Sequence, residues 1–521
     1  MRITNKMMTN NMLANINTNK TNMSKLEDKY ASGMEIQKPS DDPIVAVRAL
    51  KLRTNLSELT QYYKKNIPDA KSWMETTESA LRNTSEVITK IHTYCVQGAN
   101  DTLTEEERKS IVDNLKELKN QVYQEGNSNY AGRYLFTGYK TNSPLVFETP
   151  ETNLHYTITE SFKASDIEIS DRIVDSLKLD EFDLDDAENF EIEERPTSNT
   201  IYRIRLSYDN LKTIENGGSL TLRIPEVDEN GEIVKEEDAD GIMQTQYADE
   251  IDSNDMNVMT SDDPKAYKPD EDEINYLEDT GEIIMGANVY NQWRSANFEI
   301  TYEKDSFEKN ELRPEHYFQC VAKDLTIEDE DEREEKAIHY SIEDQRIEYE
   351  INFNQRLAIN VQGRDAFRHS LGRMIDDITK AISDVYEVQD KIAKVDKMLE
   401  DTSLEETQMA KLKEIRGILS SEFDLKDSIM REAYGRGLTA MSEEEKTVNA
   451  ATSDIGTRYR RIELTEDRLS TQQVEFTDLL SQNEDADLVD TIVNYNAANT
   501  VYNASLQAAG KVVKNTLLDF L

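Results

Sequence analysis

One run in the last third of the chain most restricts its fold. Apolar side chains fall at Phe367, Leu371, Met374, Ile378, Ala381, Val385, Val388, Ile392, Val395 and Leu399, ten positions at alternating steps of four and three. That spacing places all of them on one narrow stripe of a helix, the seam of a coiled coil. Burying ten such side chains contributes roughly 15–30 kcal/mol gross, whereas ordering the backbone that carries them costs roughly 33–66 kcal/mol. A lone helix of this kind is marginal, so the seam demands partner helices.

The same chain supplies candidates. Met74, Thr77, Leu81, Thr84, Ile88, Ile91 and Cys95 repeat the pattern, as do Ile111, Leu115, Leu118 and Val122. A later seam runs Ile455, Tyr459, Ile462, Glu466, Leu469, Gln473, Phe476 and Leu480. Thr104 with Glu107, Ser403 with Glu406 and Ser442 with Glu445 have capping-box spacing and predict helix starts. No proline follows Pro314, so the strongest helix breaker is missing from the C-terminal part. The simplest arrangement packs the seams of the two ends on each other. The expected fold is mainly α, a long coiled-coil-like helical bundle formed by both chain ends. Its core includes Leu81, Ile88, Ile91, Leu115, Leu118, Leu371, Met374, Ile378, Val385, Val388 and Ile392.

Composition changes between the ends. Residues 148–345 hold 55 of the 104 acids but only 18 of the 60 bases, so most of the net charge of −44 lies there. Five segments in and just after this stretch predict strands by alternation or by β-branched and aromatic content. They begin at Thr200, Ser219, Asn297, His316 and Arg346. Asn216-Gly217-Gly218, Glu229-Asn230-Gly231 and Asn352-Phe353-Asn354 predict turns. Acid runs such as 328–335 predict solvated loops, and 226–282 show little pattern. The middle therefore reads as an inserted acidic β-rich domain over 148–354, whose charge repels the flanks rather than packing on them. The bundle occupies 46–147 and 355–485, and terminal helices occupy 1–45 and 486–521.

Those terminal helices carry diluted seams. One runs Met12, Ile16, Asn19, Met23, Leu26, Tyr30. The other runs Leu488, Ile492, Tyr495, Asn499, Tyr502, Leu506, Ala509, Val513, Thr516, Phe520. Asn, Ala and Thr stand where a stable coil wants aliphatics. Both ends are expected to be disordered in a free monomer and helical once neighbouring chains cover them.

A search for chemistry returns little. The histidines, His92, His155, His316, His339 and His369, never stand four apart, and no phosphate loop or nucleophile elbow occurs. Cys95 and Cys320 are too few for a disulfide scaffold or a four-cysteine zinc site. Cys95 lies on a seam and reads as core. Residues 226–237 resemble an EF-hand loop at several positions. Strand-like flanks instead favour a hairpin in which 220–227 pair with 231–237 across Asn230-Gly231. Asp41-Asp42 reads as a helix start, with Asp42 as N-cap and Pro43 at the first helical position. No catalytic, cofactor or metal site is expected, and the chain reads as a non-enzyme. The charge opposes binding to nucleic acid or anionic membranes, no apolar run is long enough for a membrane span, and the polar start lacks a signal-peptide core.

Residues 30–50, YASGMEIQKPSDDPIVAVRAL, resemble the N-terminal signature of flagellins and their hook-associated relatives. Pro39 to Pro43 is closer to the family's junction members than to flagellin proper. Residues 129–141, NYAGRYLFTGYKT, resemble the motif that ends the family's second helical stretch. Residues 454–464, DIGTRYRRIEL, and 485–521 resemble its C-terminal helices. The resemblance covers about 1–147 and 355–521. It implies a structural subunit of the bacterial flagellum that joins hook to filament. The implied partners are another hook-associated protein on the hook side, flagellin on the filament side, copies of the chain itself in a tubular ring, and a flagellar export chaperone. It also implies an extracellular place reached by type III export without a cleaved signal peptide. Met12, Ile16, Met23, Leu26, Leu488, Ile492, Tyr495, Tyr502, Leu506, Val513 and Phe520 would then serve assembly. The alternatives are a divergent flagellin forming the filament itself, or a secreted calcium-binding adhesin or enzyme carried in the insertion.

Overall fold

The computed structural model describes residues 5–99, 105–179, 195–226, 234–237, 243–401 and 404–514, with Phe182, Leu184, Phe190 and Ile192 from the stretch between. Thr104, the 227–233 part of the EF-hand-like loop, Ser403, Thr516, Phe520 and the Val513 side chain lie outside the described residues. The chain forms two compact units. One comprises Met1–Lys71, Glu348–Leu357 and Tyr459–Leu521; the other comprises Ser72–Ile347 and Ala358–Arg458.

The smaller unit contains α1 (Asn5–Ser32), α2 (Pro43–Gln61), a π-helical turn (Tyr62–Asn66) and the start of α3 (Ile67–Gly98). The rest of α3 belongs to the larger unit with α4 (Glu105–Glu125) and a small hairpin of β1 (Asn129–Tyr130) and β2 (Arg133–Tyr134). The insertion follows, as β3 (Leu154–Phe162), β4 (Glu168–Val174), β5 (Thr197–Arg205), β6 (Leu220–Pro225), β7 (Lys235–Glu237), β8 (Met243–Thr245), β9 (Tyr247–Asp252) and β10 (Asn257–Met259). It continues as β11 (Ile274–Leu277), β12 (Glu282–Met285), α5 (Ala287–Trp293), β13 (Phe298–Lys304), β14 (Gln319–Asp324), α6 (Glu330–Glu335) and β15 (Ile338–Tyr340). A second hairpin, β16 (Glu348–Asn352) with β17 (Gln355–Ala358), precedes α7 (His369–Leu399), α8 (Glu406–Glu484) and α9 (Leu488–Lys514).

In the larger unit the bundle seams are buried. Leu81, Ile88, Ile91, Leu115, Leu371, Ile378, Val385 and Val388 are at most 2% exposed, while Leu118, Met374 and Ile392 are half-buried. Thr77 and Thr84 can sit on the seam because their hydroxyls donate to the Trp73 and Ala80 carbonyls at 2.9 Å, so neither hydroxyl is left unpaired. Arg108 of α4 reaches Asp427 of α8 at 3.4 Å, and Lys119 of α4 reaches Asp376 of α7 at 2.9 Å. Cys95 is buried, and that burial pushes its thiol up to about 12.

The insertion is built on two sheets. One has six strands in the order β15-β14-β3-β13-β6-β9, the other five in the order β10-β11-β12-β5-β4. Ile158, Leu222, Ile300 and Tyr302 from the first share one hydrophobic cluster with Ile204, Tyr276 and Ile283 from the second. The sheets therefore pack face to face around alternate inward residues.

Four expectations require correction. First, the insertion does not repel the bundle. Arg203 of β5 donates to Glu282 of β12 at 2.6 Å and to Asp377 of α7 at 2.8 Å, and Arg205 also reaches Asp377. Leu177 and Leu179 join Val388, Val395, Leu412, Ile415 and Leu419 in a second apolar cluster. Net charge says nothing about which few bases face inward, and these do. Second, Ser442 starts no helix. It lies inside the 79-residue α8, its hydroxyl bonding the Leu438 carbonyl at 3.1 Å. A serine that can cap can equally bond back along a helix. Third, β6 pairs with β13 and β9, while 235–237 pair with β8. The expected hairpin does not extend along β6: the Val234 amide donates to the Glu226 carbonyl at 2.8 Å, but over Thr221–Pro225 the neighbour on that side is β9, supplied by the patternless stretch. Fourth, the acid run ending at Glu335 includes the helix α6, started by Asp329, whose carboxylate accepts from the Asp331 and Glu332 amides.

Candidate assembly interface

The smaller unit begins from the acid pair in the sequence. Asp42 accepts from the Ile44 and Val45 amides at 2.9 and 3.2 Å with Pro43 at the first helical position, so α2 starts as a well-capped helix. Asp41 accepts from the Lys38 amide at 3.0 Å and holds the preceding turn. Both carboxylates are therefore occupied in backbone support. Ahead of them Gly33 turns the chain at φ +70°, a conformation suited to glycine. There the two ends of the chain meet. The Glu35 amide donates to the Glu484 carbonyl at 2.7 Å, the Ala486 amide to the Gly33 carbonyl at 2.9 Å, and Arg53 pairs with Glu484 at 2.7 Å.

Beyond this clasp α1 and α9 pair along their length. Asn19 donates to the Ser505 hydroxyl at 3.1 Å. Met12, Asn19, Met23 and Leu26 are half-buried and Ile16 is fully buried, so the α1 seam points inward. On α9, Tyr495, Asn499, Tyr502 and Ala509 are half-buried, whereas Leu488, Ile492 and Leu506 remain 40–48% exposed. Among the described residues both segments are helical. Each helix supplies the other with one covered face, which a lone segment would lack. The cover is thin, since Ile16 is the one fully buried apolar side chain of α1 among the described residues.

The hairpin of β16 and β17 clusters with this unit rather than with the sheets. Phe353 meets the Tyr62 ring edge-on at 5.5 Å, Asn66 donates to the Glu350 carbonyl at 2.8 Å, and Tyr349 bonds Asp69. These contacts hold it against the π-helical turn.

The distribution of exposed apolar surface is lopsided. Of 22 large hydrophobic residues that are exposed among the described residues, 17 lie in the smaller unit. Three of them, Ile44, Val47 and Leu50, stand on the outer side of α2 and belong to no seam. Their signal in the sequence is a repeat at three-residue steps that drifts away from the buried positions Ala49 and Leu59. Charge is also scarce on α9, where Asp490, Lys511 and Lys514 are the charged residues in 27. A helix that is uncharged nearly all round normally has protein on more than one side. Among the described residues no three His, Cys, Asp or Glu side chains converge as a metal would require. No helix among them is long and apolar enough to cross a membrane.

The family model of the bacterial flagellin N-terminal helical region matches residues 3–141, and that of the C-terminal helical region matches 438–521. Both ends of this chain therefore match helical regions of bacterial flagellin. Residues 142–437 lie outside both matches. The flagellin of Clostridium tyrobutyricum is 34% identical over 122 residues, 23% of this chain and 32% of that protein. The flagellar hook-associated protein 3 of Salmonella typhimurium is 30% identical over 145 residues, 27% of this chain and 45% of the relative. The chain thus spans less than half the length of these curated relatives. The solved structure of FlgL from Xanthomonas campestris is 14% identical and covers 84% of this chain and 99% of its own, with a TM-score of 0.27. A superposition that weak adds nothing to the matches at the two ends.

Proposed function

We propose that this chain is a structural subunit of the bacterial flagellum that joins the hook, through another hook-associated protein, to the flagellin filament. The observation that carries the reading is the pairing of the two ends into a thinly covered helix pair whose α9 is nearly uncharged, in the unit that holds most of the exposed large hydrophobic side chains among the described residues. Such a surface is a docking surface. Met12, Ile16, Met23, Leu26, Leu488, Ile492, Tyr495, Tyr502, Leu506, Val513 and Phe520 are its assembly residues, and copies of the chain form a tubular ring. Flagellin follows on the filament side, and an export chaperone covers the ends beforehand. The subunit works outside the cell and leaves it without a cleaved signal peptide. The 145-residue match to a hook-associated protein 3 supports the junction reading. The flagellin match at 34% identity supports a second one, a filament-forming flagellin.

Two measurements separate them. A labelled chain should give a short band where hook meets filament; label along the whole filament would establish the flagellin reading instead. Removing residues 488–521 should leave the main melting transition unchanged, because α9 packs on α1 in the smaller unit. Cells making the truncated chain should still build hooks while shedding flagellin into the medium. Full-length filaments on such cells would overturn the proposal.

A further inference from the structure

The insertion is poor in bases, yet one hollow on it gathers them. It holds about 400 Å³ over the strands β3, β14 and β15, a size suited to a small molecule. Four bases line it, Lys140, Arg313, Lys323 and Lys336, against two acids, Glu315 and Asp324. Both acids are already taken up. Glu315 is buried and accepts from Arg313 at 2.9 Å and from the Tyr156 hydroxyl at 3.0 Å. Asp324 accepts from the Thr326 amide at 2.9 Å and from its hydroxyl at 2.6 Å.

The bases are not all equal. Lys323 and Lys336 pair with Glu334 and Glu332, each at 2.5 Å, and both glutamates are open to solvent. Pairs so exposed are screened and contribute little. Lys140 is half-buried and in no ion pair among the described residues. Its ammonium donates to the Glu315 carbonyl at 2.9 Å and stands 3.7 Å from the centre of the Tyr340 ring. A cation withdrawn from water without a counter-charge is costly. Burial accordingly lowers the Lys140 pKa from the ordinary lysine value, and the Glu315 charge offsets only part of that. The walls beside it are apolar or aromatic, formed by Leu154, Tyr156, Ala322, Ile338 and Tyr340.

We propose that this hollow is a binding site for a small organic carboxylate with an apolar body. The carboxylate meets Lys140, and the body lies against Leu154, Ala322 and Ile338. The anion supplies the counter-charge that Lys140 lacks, through a charge-assisted hydrogen bond. The walls supply the body with apolar cover. Every lining residue belongs to the larger unit, so the inference goes beyond the flagellar reading and does not depend on it.

Calorimetric titration of the full chain with benzoate tests it. Benzyl alcohol serves as the same body without the charge, and acetate as the charge without the body. Benzoate should bind saturably at a single site per chain. Each control should bind at least about tenfold more weakly, since it lacks either the charged hydrogen bond or the buried ring. Lys140→Met keeps the length of the side chain and removes its charge, and should weaken benzoate binding by at least about tenfold. The melting curve of the variant checks that the fold is kept. Benzoate that fails to saturate, or either control bound as tightly as benzoate, overturns the site on the wild-type chain alone, whether or not the variant folds. Benzoate binding unchanged by Lys140→Met in a folded chain puts the ligand elsewhere and overturns it equally.

Discussion

Arg203 on β5 is 1% exposed, and a buried guanidinium persists only where carboxylates surround it. Glu282 and Asp377 do so at 2.6 and 2.8 Å, with Glu168 alongside. Burial by itself would raise the Glu282 carboxyl, but Arg203, Arg205 and Arg172 outweigh it and hold the group down at about 2. Asp377 is likewise held below the usual carboxylate range, against the effect of its own burial, by Arg203 and Arg205. Arg203→Met keeps the side chain's length and strands both carboxylates, so urea unfolding should show a loss of about 3–5 kcal/mol at neutral pH. The sign of its pH dependence follows from the depressed carboxyls. Their contribution is complete above about 4.5 and disappears as pH falls toward about 2. The gap between wild type and variant should therefore narrow over that window; a gap unchanged by acid would mean that the network contributes through packing alone. The sequence showed Arg203 and Arg205 as alternate residues of a strand. It did not show that this face of β5 looks toward α7.

At the scale of elements, α7 and α8 show how far a seam can be read. The ten-position stripe from Phe367 marks the buried side of α7, yet Ile375 and Ile382, which are off the stripe, are also buried at 0% and 1% exposed. The buried side of α7 is therefore broader than a two-helix seam. Within α8, Gly437 leaves room for α7, since a Cβ there would stand 2.8 Å from the Ile378 Cδ1 and 2.9 Å from the Met374 sulfur. Ile378 is fully buried at this close approach. Ile378→Ala should cost about 2–5 kcal/mol through lost burial and an incompletely collapsed cavity, read from the shift in the unfolding midpoint. An unchanged midpoint would mean that the α7 stripe does not face the rest of the bundle.

For the whole molecule, the decisive finding is that most of the insertion shares one compact unit with the bundle. Arg373 of α7 donates to the carbonyls of Tyr208 and Thr280, in addition to the Arg203 network and the cluster around Leu177. Replacing residues 148–345 by a short linker would uncover Asp377, Arg373, Val388 and Leu412 together. The shortened chain should be protease-sensitive and melt well below the full one. A stable, cooperatively melting product would show that the insertion only leans on a bundle that is complete without it.

What the sequence determined by itself was what depends on local period: the buried sides of α3, α4 and α7, the start of α2 at Asp42 and Pro43, and the strands β5, β6, β13 and β14. The strand β3 is legible too, since Tyr156, Ile158, Glu160 and Phe162 alternate, although the charge of its surroundings masks the pattern. The resemblance at Tyr30–Leu50 and in the last 37 residues likewise needed only contiguous residues. Tertiary structure alone decided what faces what. β11 and β12 are buried at every position and so carry no alternation to read. The partner of β6, the place of Asp377 beside Arg203, and the outward turn of Ile44, Val47 and Leu50 each depend on segments far apart in the chain. Periodicity reports which side of an element is apolar; only the folded chain decides whether that side finds its cover within the molecule.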